Sequence, residues 1–369
     1  MNKKIENRSA ETRCPEANLN SESRVSLSPM LLVDGQDIIN TYAKEDKNSC
    51  QKYKEYQKLI QENPKIGYKH CATLLGISQG STRWWHTKGA KKAIPLPLKT
   101  VEKLKEANFL PFNTNHKNCE KILRILGTLF GDGGIDKRLN TMAFISSIKD
   151  DVDLWEKDLL EIFPFVSGKT NMVEGGEYGH SWNMRTFDRN VIRFFVALGT
   201  PVGNKVSTIY TLPKFVFDLP RHLKIAFLDG LLSSEVSVPS FRGDKRWNWT
   251  KRFTNFSLGL SKIDALEEQH RKYLGDLKNL CASVGLTCTP NLRKEIGKII
   301  LRKDGHKSCC YRIFFQTHFV KIIKFNENFP LRYASDKKQR LEAEIKKARE
   351  YKMDAILCSL LSQQSKTTK

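Results

Sequence analysis

Two stretches of this chain place small residues four apart within an apolar helical pattern and finish on a single acid: ILGTLFGDGGI at 125–135 and AFLDGLLSSEV at 226–236. Residues four apart share one helix face, so Gly127 with Gly131, and Gly230 with Ser234, each make a stripe almost without side chains. Such stripes let two helix backbones approach closely. Ile125, Leu126, Leu129 and Phe130, with Phe227, Leu228, Leu231 and Leu232, supply apolar surface on either side. The pattern predicts that the two helices pack on each other as the interface between two related halves. Asp132 and Glu235 then emerge side by side at one end of that interface.

Two adjacent carboxylates repel, and burying them together is costly without a proton or a cation. Oxygen ligands of this kind suit a hard divalent ion, Mg²⁺ first and Mn²⁺ as its substitute. The overall charge points to what such an ion would act on. Sixty-two Lys and Arg against 40 Asp and Glu leave a net +22, an excess that favours a polyanion, and nucleic acid above others. A divalent ion bridging to phosphate and activating water is the chemistry of phosphodiester hydrolysis.

Other classes are disfavoured. No apolar run approaches the ~20 residues needed to cross a bilayer. The first residues, MNKKIENRSAETRCPEANLNSES, lack the apolar centre of a signal peptide. A cytoplasmic, intracellular monomer without membrane contact is expected. None of the nine cysteines stands in a C-x-x-C pair, so buried thiols in a reducing compartment are expected rather than a zinc site.

Residues 1–28 read as a polar, disordered tail. Residues 29–118 read as a small all-α domain with a helix-turn-helix outline: a short helix, a turn at Gly76, and a second helix from about Ser78. That second helix offers Gln79, Ser81, Thr82 and Arg83 to DNA, with Lys88, Lys91 and Lys92 just beyond, while Trp84 and Trp85 read as packing residues. From 119 onward one α+β unit is repeated, over 119–220 and 221–345, before a C-terminal helix and tail at 346–369. AFISSIKDDVDLWEKDLLEIF and NFSLGLSKIDALEEQHRKYLGDL run parallel through strand, turn and helix.

At these residues the chain resembles the LAGLIDADG homing endonucleases in their single-chain, two-motif form. LDGLLSSEV follows the family's motif with Glu235 for its final acid, and ILGTLFGDG is similar to the variant ending Gly-Asp-Gly. Val236 stands where Gly is usual, and Ser233 where an acid is usual. The resemblance implies two pseudosymmetric αββαββα repeats forming a β-saddle around two central helices. It implies metal-binding acids at Asp132 and Glu235, with Gly131 and Ser234 beside them in the metal set. LGTPVGNKVSTIYTLPKFVFD at 198–218 resembles the segment carrying the family's basic active-site residue, which falls on Lys205. FPLRYASDKKQRLEAEI resembles its second copy, giving Lys337, with Lys338 the next choice.

The DNA-reading positions implied are Lys137, Arg138 and Arg185 in the first repeat. In the second they are Arg242, Lys245, Arg246, Lys251 and Arg252, on a hairpin-like run that alternates charge with aromatic residues. The implied activity is a site-specific, metal-dependent double-strand cut in DNA at a long asymmetric site, as in intron homing by a mobile element. The chain neither starts on a splicing Cys or Ser nor ends in His-Asn, so a free-standing enzyme is expected rather than an intein. Two other uses of the fold compete: a DNA-binding transcriptional regulator without cleavage, and a maturase acting on intron RNA.

Overall fold

The computed structural model describes residues 28–87, 93–174, 179–243, 251–295, 299–302 and 304–367, with backbone alone at 174 and 354–367. The tail at 1–27 lies outside them, as do Lys88, Lys91, Lys92, Lys245 and Arg246.

The chain opens with β1 (Leu31–Val33), α1 (Gly35–Asn40), α2 (Lys44–Glu62), α3 (Tyr68–Leu75), α4 (Gln79–His86), α5 (Leu96–Glu106) and β2 (Phe112–Asn113). Asp34 and Asp37 form a reciprocal capping box at the start of α1. Gly76 closes α3 at φ +62°, a left-handed cap that favours glycine, and Ser78 caps α4 through Ser81 N. The expectation of an all-α region here is corrected. β1 and β2 pair antiparallel, because Val33 and Phe112 are fully buried and their backbone groups must find partners. Val33, Ile38, Leu104 and Phe112 join the main core, whereas Tyr53, Tyr56, Cys71, Leu75 and Trp85 make a separate small one.

Then follow α6 (Cys119–Phe130), β3 (Gly134–Ile135), β4 (Met142–Ser146), α7 (Lys149–Ile162), β5 (Gly168–Glu174), β6 (His180–Thr186) and α8 (Arg189–Ala197). The second unit runs α9 (Arg221–Glu235), β7 (Val236–Ser237), β8 (Ser240–Gly243), β9 (Lys251–Thr254), β10 (Ser257–Ile263), α10 (Glu267–Ser283), β11 (Cys288–Lys294), β12 (Ile300–Leu301), β13 (Lys307–Phe315) and α11 (Phe319–Asn328). Both sheets are antiparallel. Their orders, β3-β4-β6-β5 and β7-β10-β13-β11 with β12 on β13, correspond strand for strand. The duplication is therefore a matter of topology as well as of sequence rhyme. The second unit adds the self-paired β8–β9 hairpin and α12 (Ser335–Thr367). The boundary expected at 345 falls inside that unbroken helix.

α6 and α9 cross at their small residues. A methyl group on Gly127 would lie 2.0 Å from Phe227 O, and one on Gly230 would lie 1.9 Å from Arg124 O. The two backbones touch where only glycine permits it. Beside this contact Asp229, 0% exposed, accepts from Arg124 Nε at 3.0 Å and from Leu331 N at 2.7 Å. Arg332 reaches Asp158 with two hydrogen bonds, at 2.6 and 2.8 Å, and Tyr333 Oη donates to the same carboxylate at 2.8 Å. Residues 331–333 thus clamp the start of α12 across both units.

Candidate active site

α6 and α9 deliver their acids differently. After α6 the chain turns at Gly131 into Asp132. A methyl there would meet Ser234 Cβ at 2.3 Å and Glu235 Cγ at 3.3 Å, which fixes Glu235 against the turn that carries Asp132. α9 ends on Glu235, and Val236 is extended (φ −76°, ψ 134°) as it enters β7. That backbone is open to a β-branched residue, so valine in place of glycine carries no conformational cost here.

Each helix end holds a lysine. Lys205 Nζ donates to the carbonyls of Gly131, Gly133 (2.5 Å) and Leu129 (3.3 Å). Lys337 Nζ donates to Ser233 O at 2.8 Å and Ser234 O at 2.5 Å. Leu129, Ser233 and Ser234 lie in the last turns of α6 and α9 and Gly131 caps α6, so most of these carbonyls belong to a helix C-terminus, where a cation is favoured by the helix dipole as well. Lys338 turns away, to Asn326 O at 2.8 Å. The carbonyls of Gly131 and Ser234 serve the lysines, and the two carboxylates remain as the charged oxygen donors.

Burial governs the electrostatics. Burial, and then repulsion from Asp132, push Glu235 up to about 8 against the pull of Lys205 and Lys337. Asp132 reaches the solvent of a cleft of about 1230 Å³, yet the protein around it strips enough water to raise its carboxyl too, with Lys337 and Lys205 opposing. Burial draws Lys205 down to about 8 although both acids favour its charge, and it lowers Lys337 likewise. Two acids and two bases, each shifted toward neutrality, thus meet at the inner end of an open cleft. Among the described residues no group of three or more His, Cys, Asp or Glu could hold a metal ion. A carboxylate pair that raises its own proton affinity is nevertheless a fitting donor set for one hard divalent ion that keeps waters of its own.

The cleft runs from Asp132 and Lys205 along the outer face of the first sheet, past Lys137, Ala143 and Ile145. On that face Ala143, Arg185 and Lys169 stand directly opposite one another across β4, β6 and β5. Gly259, Arg312 and Arg293 form the matching row across β10, β13 and β11. Lys169, Arg185 and Arg293 are exposed, and Arg312 is steadied by Glu295 at 2.8 Å.

Of the residues expected from sequence, Lys137, Arg138 and Arg185 lie exposed on the first unit. Arg242, Lys251 and Arg252 sit on the β8–β9 hairpin, apart from the main sheet of the second unit, and Arg242 and Arg252 are directly paired there. The hairpin packs on α12 through Phe241 N to Glu344 at 2.5 Å and through the Phe241 and Tyr351 rings, 5.6 Å apart. Lys169, Arg293 and Arg312 were not among the residues expected, although the alternation of YRIFF marks the face of Arg312. The Arg124–Asp229 pair escaped it as well, although an acid and an arginine on two mutually packing apolar helices already ask for each other.

On α4, Gln79 and Arg83 are exposed, whereas Thr82 is buried with its hydroxyl on Gln79 O at 3.1 Å, so Thr82 faces no partner molecule. Trp85 packs as expected. Trp84 does not: it is 58% exposed beside Arg83. No described helix is long and apolar enough to cross a membrane.

No family model matches the chain. The DNA-directed RNA polymerase subunit Rpo1N of Methanocaldococcus jannaschii is 25% identical over 237 residues, 60% of this chain and 17% of that protein. The tRNA-splicing ligase RtcB of Pyrococcus abyssi is 29% identical over 195 residues, 50% of this chain and 20% of that protein. The chain thus spans about a fifth of the length of the curated relatives it matches. Among solved structures, the homing endonuclease I-DmoI in complex with its target DNA, nicked in the coding strand and in the presence of Mn, is 16% identical. It matches 58% of this chain and 97% of its own at a TM-score of 0.32.

Proposed function

We propose that the chain is a metal-dependent, site-specific DNA endonuclease of the LAGLIDADG type, each acid serving one strand. The observation that carries this reading is the pairing of Asp132 with Glu235 at the joined ends of α6 and α9, each helix end held by a half-buried lysine. Asp132 and Glu235 would hold a divalent ion, Mg²⁺ or Mn²⁺, which when bound supplies an activated water and charge stabilisation at the scissile phosphate. Lys205 and Lys337 keep both carboxylates within one electrostatic field and offset part of the charge that gathers when a phosphate enters. The basic rows on the two sheets would carry the DNA backbone across a saddle, and the exposed face of α4, with Gln79, Arg83 and Trp84, would extend the site through a helix-turn-helix contact. The sequence matches fit this reading. Partial matches to a polymerase subunit and to a tRNA-splicing ligase, each over about a fifth of that protein's length, suit a module independent of either activity.

The test uses the whole chain and a randomised duplex library enriched by binding in Ca²⁺. With Mg²⁺ or Mn²⁺ the enriched duplexes are expected to yield discrete double-strand cuts. Binding without nicking in either metal would indicate a regulator instead, and preference for structured RNA over duplex a maturase. Affinity in Ca²⁺ is expected to fall by about 10³–10⁵ between 50 and 200 mM salt if six to ten phosphates are contacted.

Metal binding should also depend on pH with a definite sign. Burial and mutual repulsion raise both acids, so protons compete with the ion. Mn²⁺ affinity, followed by titration calorimetry, is therefore expected to rise as pH increases from 6 toward about 8, the value to which Glu235 is pushed, and then to level off. An affinity flat across that range would contradict the assignment of the acids as ligands.

A further inference from the structure

Residues 202–208, which carry Lys205, form a loop between the two units with no helix or sheet of their own. An amine that must sit on the end of α6 needs its backbone fixed by something else. On one side the first unit does this: Gly203 N donates to Ile135 O at 2.8 Å, and Val202 bridges Ile135. On the other side the last two residues of β10 reach across from the second unit. Lys262 Nζ donates to the carbonyls of Lys205 and Thr208, each at 2.6 Å, and Ile263 N donates to Val206 O at 3.1 Å.

Lys262 is 2% exposed, with its ammonium 4.0 Å from the centre of the Tyr210 ring. Burying an ammonium is expensive, and an apolar residue of similar volume would cost less. What the ammonium alone can do is hold two loop carbonyls at once, one of them belonging to Lys205. The other active-site lysine has no such need. Lys337 stands in the first turn of α12, a helix anchored by Ser335 N on Asp151 at 2.9 Å. One half-site is set by a helix, the other by a lysine from the opposite unit.

We propose that Lys262 is a positioning residue that sets Lys205 on the end of α6, so that the two strands of a duplex are cut by half-sites of unequal dependence on it. The proposal rests on the endonuclease reading above. It is tested by single-turnover cleavage of a duplex labelled on each strand, with the strand served by Lys205 defined as the one slowed by Lys205→Met. Lys262→Met is expected to slow that strand by about 10–100-fold, the usual loss when a supporting contact behind a functional group is removed. The other strand should stay within about threefold of wild type, with DNA affinity in Ca²⁺ and thermal midpoint unchanged, so that nicked product accumulates. Lys262→Arg, which keeps a cation with several donors, is expected to recover part of the lost rate. Should Lys262→Met not fold, Lys262→Gln, which keeps a donor, carries the same comparison. Equal slowing of both strands, or of neither, overturns the positioning role. A wild-type protein that cuts neither strand overturns the endonuclease reading, and this proposal with it.

Discussion

Glu235→Gln is expected to remove double-strand cleavage, slowing it by more than about 10²-fold, the scale on which even supporting contacts around a metal matter, while DNA affinity in Ca²⁺ changes little. Asp132→Asn should do the same. The amides keep the volume and a hydrogen-bonding oxygen but lose the charge a hard cation requires. The same substitution should stabilise the metal-free protein, and the sign follows from linkage. A carboxyl whose folded-state pKa lies above its unfolded value loses stability as pH climbs from the ordinary carboxylate range to the raised value, here about 8. At pH 8.5 Glu235 therefore costs stability that Gln does not. The thermal midpoint of metal-free Glu235→Gln should exceed that of wild type at pH 8.5, and the gap should close toward pH 4.5. A variant that loses cleavage by misfolding would show the opposite shift, so the two readouts separate chemistry from collapse.

The second large effect lies in the helix contact beneath the acids. Gly230→Ala is expected to destabilise by about 3 kcal/mol, although alanine is the better helix former by about 1 kcal/mol. The added methyl would stand 1.9 Å from Arg124 O and 2.9 Å from Thr128 N, both backbone atoms, so α6 and α9 must separate for it to fit. Gly275 in α10 is the internal control, since a methyl there meets nothing within 4 Å. Gly275→Ala should stabilise by about 0.5–1 kcal/mol. Denaturant midpoints at equal slope measure both. If Gly230→Ala were neutral, the close approach of the two helices would be wrong.

The features read most readily from sequence were those fixed by local spacing. Gly127, Gly131, Gly230 and Ser234 recur at four-residue intervals, and that periodicity alone places α6 against α9. The order of strands and helices in the second unit could be read by its likeness to the first. What escaped depended on where the chain returns in space. Nothing near Asp229 in sequence says that residues 331–333 will close over it. Lys262 looks like the solvated end of a strand until the loop at 205–208 is laid across it. The charged and aromatic run around β8 and β9 stood out by composition, but not that these two strands would pack on α12 rather than extend a sheet. Trp84 and Trp85 are adjacent, yet on a helix neighbours point about 100° apart, and only Trp85 finds the small core formed with α2 and α3.

The central claim is that Asp132 and Glu235 together hold the ion that hydrolyses DNA. It is tested most directly by anomalous scattering from Mn²⁺ in crystals of the whole chain bound to a duplex enriched in Ca²⁺. The expected result is a peak between the carboxylates of Asp132 and Glu235, in contact with a phosphate oxygen, and absent from crystals of the Asp132→Asn, Glu235→Gln double variant. Mn²⁺ bound elsewhere on the DNA-facing surface, or a peak that survives the double variant, would contradict it.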